Sequence, residues 1–200
     1  MKDLSNPTIT NIKLMKIRLI IFTAIISQLL LGHSYAAGVF KLRSDDVAAN
    51  KRIIEKHVFN GFGCSGGNIS PQLSWQNAPK NTKSFAITVY DPDAPTGSGW
   101  WHWLVANIPA DTDALAADFN KEDKAKLENG IVQVRNDFGT YKFGGPCPPK
   151  GDRPHRYIFT VYALKTDKLD LNENSSAALA GFMINQNSLA RSSFTAYYNR

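Results

Sequence analysis

The sequence predicts a mainly β domain, and three observations carry that prediction. The runs Lys83 to Tyr90, Trp101 to Ile108 and Arg156 to Leu164 have the alternation and β-branched or aromatic content of strands. The segments between them are rich in Gly, Pro, Asp and Asn, which turn a chain rather than continue a helix. Only Ser175 to Leu189 carries a clear helical repeat.

Taken in order, Phe40 to Ser44 reads as a short first strand, Ile53 to His57 is ambiguous, Gly61 to Gly67 is a glycine-rich turn region, and Pro71 to Trp75 reads as a strand. Lys83 to Tyr90 sets Phe85, Ile87 and Val89 against Ala86, Thr88 and Tyr90, a strand with one face more apolar than the other. It should stop at Asp91, because Pro92 cannot donate to a sheet ladder. Trp101 to Ile108 follows, with Trp103 and Val105 on one face and His102, Leu104, Ala106 and Ile108 on the other. Asp111 to Asn129 is polar, with weak helical preference around Lys121 to Leu127. Ile131 to Arg135 reads as extended and Gly139 to Gly151 as loop. Arg156 to Leu164 is apolar on both faces, as a buried central strand would be. In Ser175 to Leu189, the residues Leu179, Phe182, Met183, Gln186 and Leu189 recur at helical spacing behind a cap at Asn174 or Ser175. Ser193 to Tyr198 closes the fold as a last strand.

The first 36 residues are set apart. Lys16 and Arg18 precede the apolar run Leu19 to Leu31, and Ser34 and Ala36 supply small residues before a cut after Ala36. This is the pattern of a secretory signal, with Met15 as an alternative start. The run is shorter than the roughly 20 residues that span a bilayer, so no stable membrane insertion is expected after cleavage. The expected division is therefore a signal peptide over 1–36 and a single domain over 37–200, located in the periplasm or secreted.

The 200-residue chain has a net charge of +6. Setting aside Lys2, Lys13, Lys16, Arg18 and Asp3 leaves 19 basic and 16 acidic residues, a mild +3 without any Lys/Arg run. Nucleic acid is not an expected partner. Cys64 and Cys147, an even pair in an exported chain, favour a disulfide over two free thiols.

Chemistry-bearing residues concentrate between Asp91 and Val105. Asp91 and Asp93 stand at one strand's exit and His102 at the next strand's entrance, so all three can line one rim. His155 likewise opens a strand after a Gly/Pro-rich segment, which points to a site rather than to two core histidines. Gly61 to Gly66 spells G-x-G-x-x-G, but Gly67-Asn68-Ile69-Ser70-Pro71 does not begin the helix on which dinucleotide binding depends. Asp91, Asp93, His102 and His155 lack metal-ligand spacing, and no metal or other cofactor is assigned. Trp100, Trp101 and Trp103 read as core and pocket wall, since no basic groove accompanies them.

Several blocks together resemble the phosphatidylethanolamine-binding protein family and its bacterial Raf-kinase-inhibitor-like branch. They are Gly61-Phe62-Gly63-Cys64, Asn68-Ile69-Ser70-Pro71, Asp91-Pro92-Asp93-Ala94-Pro95, His102 within Trp-His-Trp-Leu-Val, Gly144 to Gly151, and Pro154-His155-Arg156-Tyr157. The resemblance implies a central antiparallel β-sheet packed against a smaller sheet, with peripheral helices and a small anion pocket. Carried over by position, the pocket uses Asp91, His102, Pro148, His155 and Tyr157, with Asp93, Gly145 and Pro149 nearby. Trp101 stands where the family often has a second histidine. The resemblance also places Cys64 near Cys147. The implied function is an exported binding protein for a phosphate or phosphorylated head group, with a protein partner and a homodimer also allowed for.

On this reading His102 and His155 hold the anion as imidazolium groups, and Asp91 either orients His102 or accepts from a ligand ammonium. No catalytic residue is assigned. The competing reading is a hydrolase with His102 as general base oriented by Asp91, and a third is a protease or kinase inhibitor acting through a surface loop.

Overall fold

A computed structural model of the chain describes residues 38–119 and 124–200. The signal-peptide reading over 1–36, and part of the weak helical preference at Lys121 to Leu127, lie outside those residues. The described part of that stretch, 124–127, is not helical. Residues 38–200 cluster as one compact unit. Among the described residues no helix is long and apolar enough to cross a membrane.

In chain order the strands are β1 (Lys41–Arg43), β2 (Asn60–Gly61), β3 (Cys64–Ser65), β4 (Leu73–Gln76), β5 (Ser84–Asp91), β6 (Trp100–Pro109), β7 (Ala114–Leu115), β8 (Val132–Gln133) and β9 (His155–Leu164). Helix α1 (Ala177–Asn187) and strand β10 (Ser188–Tyr198) follow. The principal sheet has the order β10-β9-β5-β6-β8, a smaller sheet has β1-β4-β7, and β2 and β3 form a separate hairpin. All of these pairings are antiparallel. The ambiguous segment around Ile53 resolves into a 3-10 turn at Glu55–His57.

β5 is flanked on both edges, and its inner faces explain the layering. Phe85, Ile87 and Val89 pack with Leu42, Leu73, Trp75 and Leu115 of the smaller sheet. Ala86 faces the other way, into a second core with Leu104, Tyr162, Leu164 and the helix residues Ala177, Ala180 and Ile184. The face predicted to be less apolar is therefore also covered, because α1 and the chain before it lie over it. β9 is buried over most of its length, as a central strand should be.

Two predictions about faces are corrected. In β6, Ile108 belongs to the core of Trp103 and Val105, not with Leu104 and Ala106. The cause is an extra residue, since Phe85 pairs Ile108 while Ile87 pairs Val105. Asn107 takes up the surplus at φ 59° and exchanges hydrogen bonds with Leu169, donating to its carbonyl at 3.1 Å and accepting from its N–H at 2.7 Å. In α1, the stripe of Leu179 and Phe182 is exposed, and Ala177, Ala180 and Ile184 are buried instead. Small residues let the helix backbone approach the sheet, and helical periodicity alone cannot choose between two stripes on one helix. The cap is Ser176, whose hydroxyl accepts from the Leu179 N–H at 3.1 Å.

The Cys64–Cys147 disulfide is formed, and it ties the β2–β3 hairpin to the loop before β9. It closes a separation of 83 residues. In the chain-entropy account a loop of that length contributes about 4–5 kcal/mol, less any native strain. Reduction, or the double substitution Cys64→Ser/Cys147→Ser, should lower the unfolding free energy read from urea titration by an amount in that range and move the midpoint down accordingly. An unchanged midpoint would show that the crosslink does not constrain the unfolded chain.

Candidate functional site

Strand β5 delivers Asp91 to its C-terminal end, and the Asp91 side chain then forms the turn that follows. Its Oδ1 accepts from the N–H groups of Asp93 at 2.8 Å and Ala94 at 3.1 Å, a carboxylate closing its own reversal. Farther along, Thr96 donates from its hydroxyl to the Gly99 carbonyl at 2.5 Å, and Tyr90 to that of Ser98 at 2.6 Å. Gly99 has φ +69°, and a Cβ there would lie 2.7 Å from the Asp91 carbonyl oxygen. Glycine is required for the loop to return so tightly into β6.

His102 owes its direction to a second irregularity in β6. Val89 pairs Trp103 and Tyr90 pairs Trp101, so one step on β5 spans two on β6. The surplus residue is His102. Trp101 packs against the helix-side core, while the His102 ring contacts Tyr157 of the opposite core edge-on at 5.1 Å and Phe138 at 5.2 Å. A bulge has re-aimed a side chain that simple alternation placed with Leu104.

The loop from 136 to 149 is held against this histidine by two asparagines. Asn136 donates to the carbonyls of His102 at 3.1 Å and Lys142 at 2.7 Å. Asn68 accepts from the Gly145 N–H at 2.7 Å and donates to the Phe143 carbonyl at 3.2 Å. Gly145 is so close to the segment at 57–59 that a Cβ would fall 1.9 Å from the His57 carbonyl oxygen. Its role is this close approach. It is not part of the pocket lining, as the sequence reading had it nearby.

The pocket encloses about 200 Å³ and includes Asp91, His102, Pro148, Pro149, His155 and Tyr157 among its walls. Six of the eight predicted site residues thus come together. Trp100, read from sequence as core and pocket wall, completes it together with Phe62, Ala94, Pro95, Thr96, Phe138 and Cys147, which were not assigned from sequence. Phe62 and Phe138 arrive from distant loops, and their only signal was the glycine-rich context of each. A larger cleft of about 520 Å³, lined in part by Asn60, Asn68 and Ser70, gathers neither His102 nor His155.

Asp93, the other predicted residue outside the lining, serves structure. Its carboxylate accepts from the Arg156 backbone N–H at 2.9 Å and from its guanidinium at 2.8 and 2.9 Å, and from Arg153 at 3.0 Å. The Arg156 hydrogen bonds hold the Asp93 carboxyl down at about 2.

The expected pairing of Asp91 with His102 is replaced by another. Asp91 Oδ2 lies 2.8 Å from His155 Nδ1, and His155 Nε2 lies 3.3 Å from Asp152 Oδ2. Carboxylates only accept, so these contacts ask for a proton on each ring nitrogen of His155. His102 instead places Nδ1 2.6 Å from the Gly144 carbonyl oxygen. Burial pushes its pKa down to about 4, against the smaller upward pull of that hydrogen bond and of Asp91. Burial thus favours the neutral form of His102 near pH 7, whereas both histidines were expected to hold an anion as imidazolium groups.

Four buried side-chain polar atoms among the described residues have no hydrogen-bond partner: His57 Nε2, Trp75 Nε1, Trp100 Nε1 and Tyr157 Oη. Trp100 and Tyr157 line this pocket. Burial drives the Tyr157 phenol well above its ordinary range, with Asp91 adding to the effect, so its hydroxyl keeps its proton.

A five-stranded antiparallel sheet backed by a smaller one, with a compact pocket at one end of its central strands, defines a fold class shared with known proteins. The chain belongs to the phosphatidylethanolamine-binding protein family, whose profile matches residues 43–199. It is 52% identical to the UPF0098 protein YbcL of Escherichia coli over 88% of this chain and 97% of that protein. To YbhB of the same organism it is 49% identical, over 80% of this chain and 99% of that one. The crystal structure of E. coli YbcL, described as a new member of the mammalian PEBP family, superposes with a TM-score of 0.78 at 53% identity, covering 82% of this chain and 99% of the other.

The depressed His102 pKa makes stability depend on pH. Between the unfolded value of about 6.5 and the folded value of about 4 the unfolded chain binds the extra proton, so stability falls as pH is lowered through that window. The drop should be on the order of 3 kcal/mol. Urea titrations at pH 7 and pH 4 measure it, and His102→Gln should lack most of the change. An equal drop in the variant would assign it to other groups.

Proposed function

We propose that this protein is an exported binding protein whose pocket takes a small phosphorylated or other oxyanion, and that it binds rather than turns over its ligand. The observation that carries the reading is the pair of buried, unpartnered donors, Trp100 Nε1 and Tyr157 Oη, lining one pocket with His155. A buried donor left unsatisfied costs about 1–3 kcal/mol. Two in one small cavity suit an acceptor supplied by a ligand. Pro95, Pro148 and Pro149 stiffen the wall, which lowers the ordering cost of binding. Binding is favoured over hydrolysis by the same inventory. The Thr96 hydroxyl is committed to Gly99, Cys147 is in a disulfide, and Asp91 supports His155 instead of orienting His102 as a base.

Tyr157→Phe separates a binding role from a structural one. Removing the hydroxyl removes an unsatisfied group, so the unfolding midpoint should hold or rise. Affinity for inorganic phosphate should fall by about 10- to 150-fold, the equivalent of one hydrogen bond to a charged group at about 1.5–3 kcal/mol. Asp91→Asn should weaken inorganic phosphate and phosphoethanolamine equally, because both carboxylate oxygens already serve the protein. Calorimetric titration reads both variants. Unchanged phosphate affinity in Tyr157→Phe would place the ligand elsewhere, and a selective loss of phosphoethanolamine in Asp91→Asn would give the carboxylate an ammonium partner.

Export is supported by the leader pattern and agrees with a formed disulfide. Protein recovered from the periplasm or medium should begin at Ala37 on N-terminal sequencing. A recovered product retaining Leu19 to Leu31 would refute cleavage.

A further inference from the structure

The pocket's polar atoms are not all donors, and this narrows the ligand. A carbonyl oxygen only accepts, so the 2.6 Å contact between His102 Nδ1 and the Gly144 oxygen assigns the ring proton to Nδ1. In the neutral ring Nε2 then carries a lone pair. Among the described residues that nitrogen has no protein hydrogen-bond partner, and His102 is part of the pocket wall. The groups facing the ring are Asp91 from the end of β5, His155 and Tyr157 from β9, and the backbone of Gly144 and Gly145. Asp152 lies behind His155. Asp91, the negative charge nearest the ring, is engaged by His155 and two backbone N–H groups, and burial keeps the imidazole neutral down to about pH 4.

Resting on the anion-pocket reading above, we propose that the pocket selects an oxyanion that still carries an acidic hydrogen, such as the monoanion of a phosphate monoester, with His102 Nε2 accepting that hydrogen. Trp100 Nε1 and Tyr157 Oη meet the anionic oxygens and His102 meets the P–OH. A fully deprotonated dianion presents acceptors alone, and one of them would face the imidazole lone pair. His102 thus discriminates by protonation state of the ligand, a role for which a charged histidine would be unsuited. No proton is transferred. The hydrogen stays on the ligand and is shared in a hydrogen bond.

Three probes test this by calorimetry between pH 5.5 and 7.5. Methyl phosphate can exist as a hydrogen-bearing monoanion, dimethyl phosphate is a monoanion without one, and sulfate is a dianion without one. With a second pKa near 6, the monoanion fraction of methyl phosphate falls about 25-fold over this range, and its apparent affinity should fall with it. Dimethyl phosphate and sulfate should bind at least about 10-fold more weakly at pH 5.5, by one charge-assisted hydrogen bond, and should not follow that slope. His102→Gln, whose amide can turn a donor to the ligand, should flatten the methyl phosphate profile and narrow the gap to sulfate. Parallel pH profiles for the three probes, sulfate binding as tightly as methyl phosphate, or an unchanged slope in His102→Gln would overturn the proposal while leaving an anion pocket in place. Failure of all three probes to bind at any pH would overturn both readings.

Discussion

The site depends on the carboxylate of Asp91. One of its oxygens closes the turn at the end of β5 through two backbone N–H groups, and the other fixes His155 at the start of β9. These are adjacent strands of the central sheet, so a single buried side chain sets both the path of the loop and the orientation of the ring across from it. A carboxylate buried this deeply is tolerated because its acceptor capacity is filled from both sides. Asp93, two residues later, does comparable work toward Arg156 and Arg153 and so anchors the outside of the same corner.

Around that corner the pocket is assembled by close approach. Gly145 packs against the backbone of 57–59, Asn68 and Asn136 clamp the loop that carries it, and the disulfide fastens the hairpin bearing Phe62 beside Pro148. Arg200 reinforces the hairpin from another direction, donating to the carbonyls of Pro148, Gly63 and Phe62. The result is an aromatic rim, with Phe62 and Phe138 at 5.9 Å and Trp100 and Phe138 at 5.4 Å, above a floor of polar groups.

Much of this was legible beforehand. The long strands were readable because β5, β6 and β9 carry enough alternating or continuous apolar residues to announce themselves, and the strand stop at Asp91 followed from Pro92. Six pocket residues were found because aspartate, histidine and paired prolines at strand ends are chemically conspicuous. Phe62 and Phe138 were missed because an aromatic in a loop has no local pattern to distinguish a pocket wall from a chance exposure. The exposed stripe of α1 was chosen wrongly because Leu and Phe outweigh Ala in any hydrophobic reading, whereas packing rewarded the smaller side chains that allow close contact.

The sequence by itself determined the fold class, the family, the pairing of Cys64 with Cys147 and the neighbourhood of the pocket. Each of these rests on residue type and order, which survive without coordinates. Tertiary structure alone decided which carboxylate serves which histidine. Asp91 is 11 residues from His102 and 64 from His155, yet it bonds the distant ring, because β5 and β9 are hydrogen-bonded neighbours while a bulge at His102 turns the nearer ring toward the Gly144 carbonyl. Partner choice, burial and therefore protonation state are properties of that three-dimensional register. A one-residue bulge, invisible to periodicity, turned the His102 ring into a buried setting that favours its neutral form.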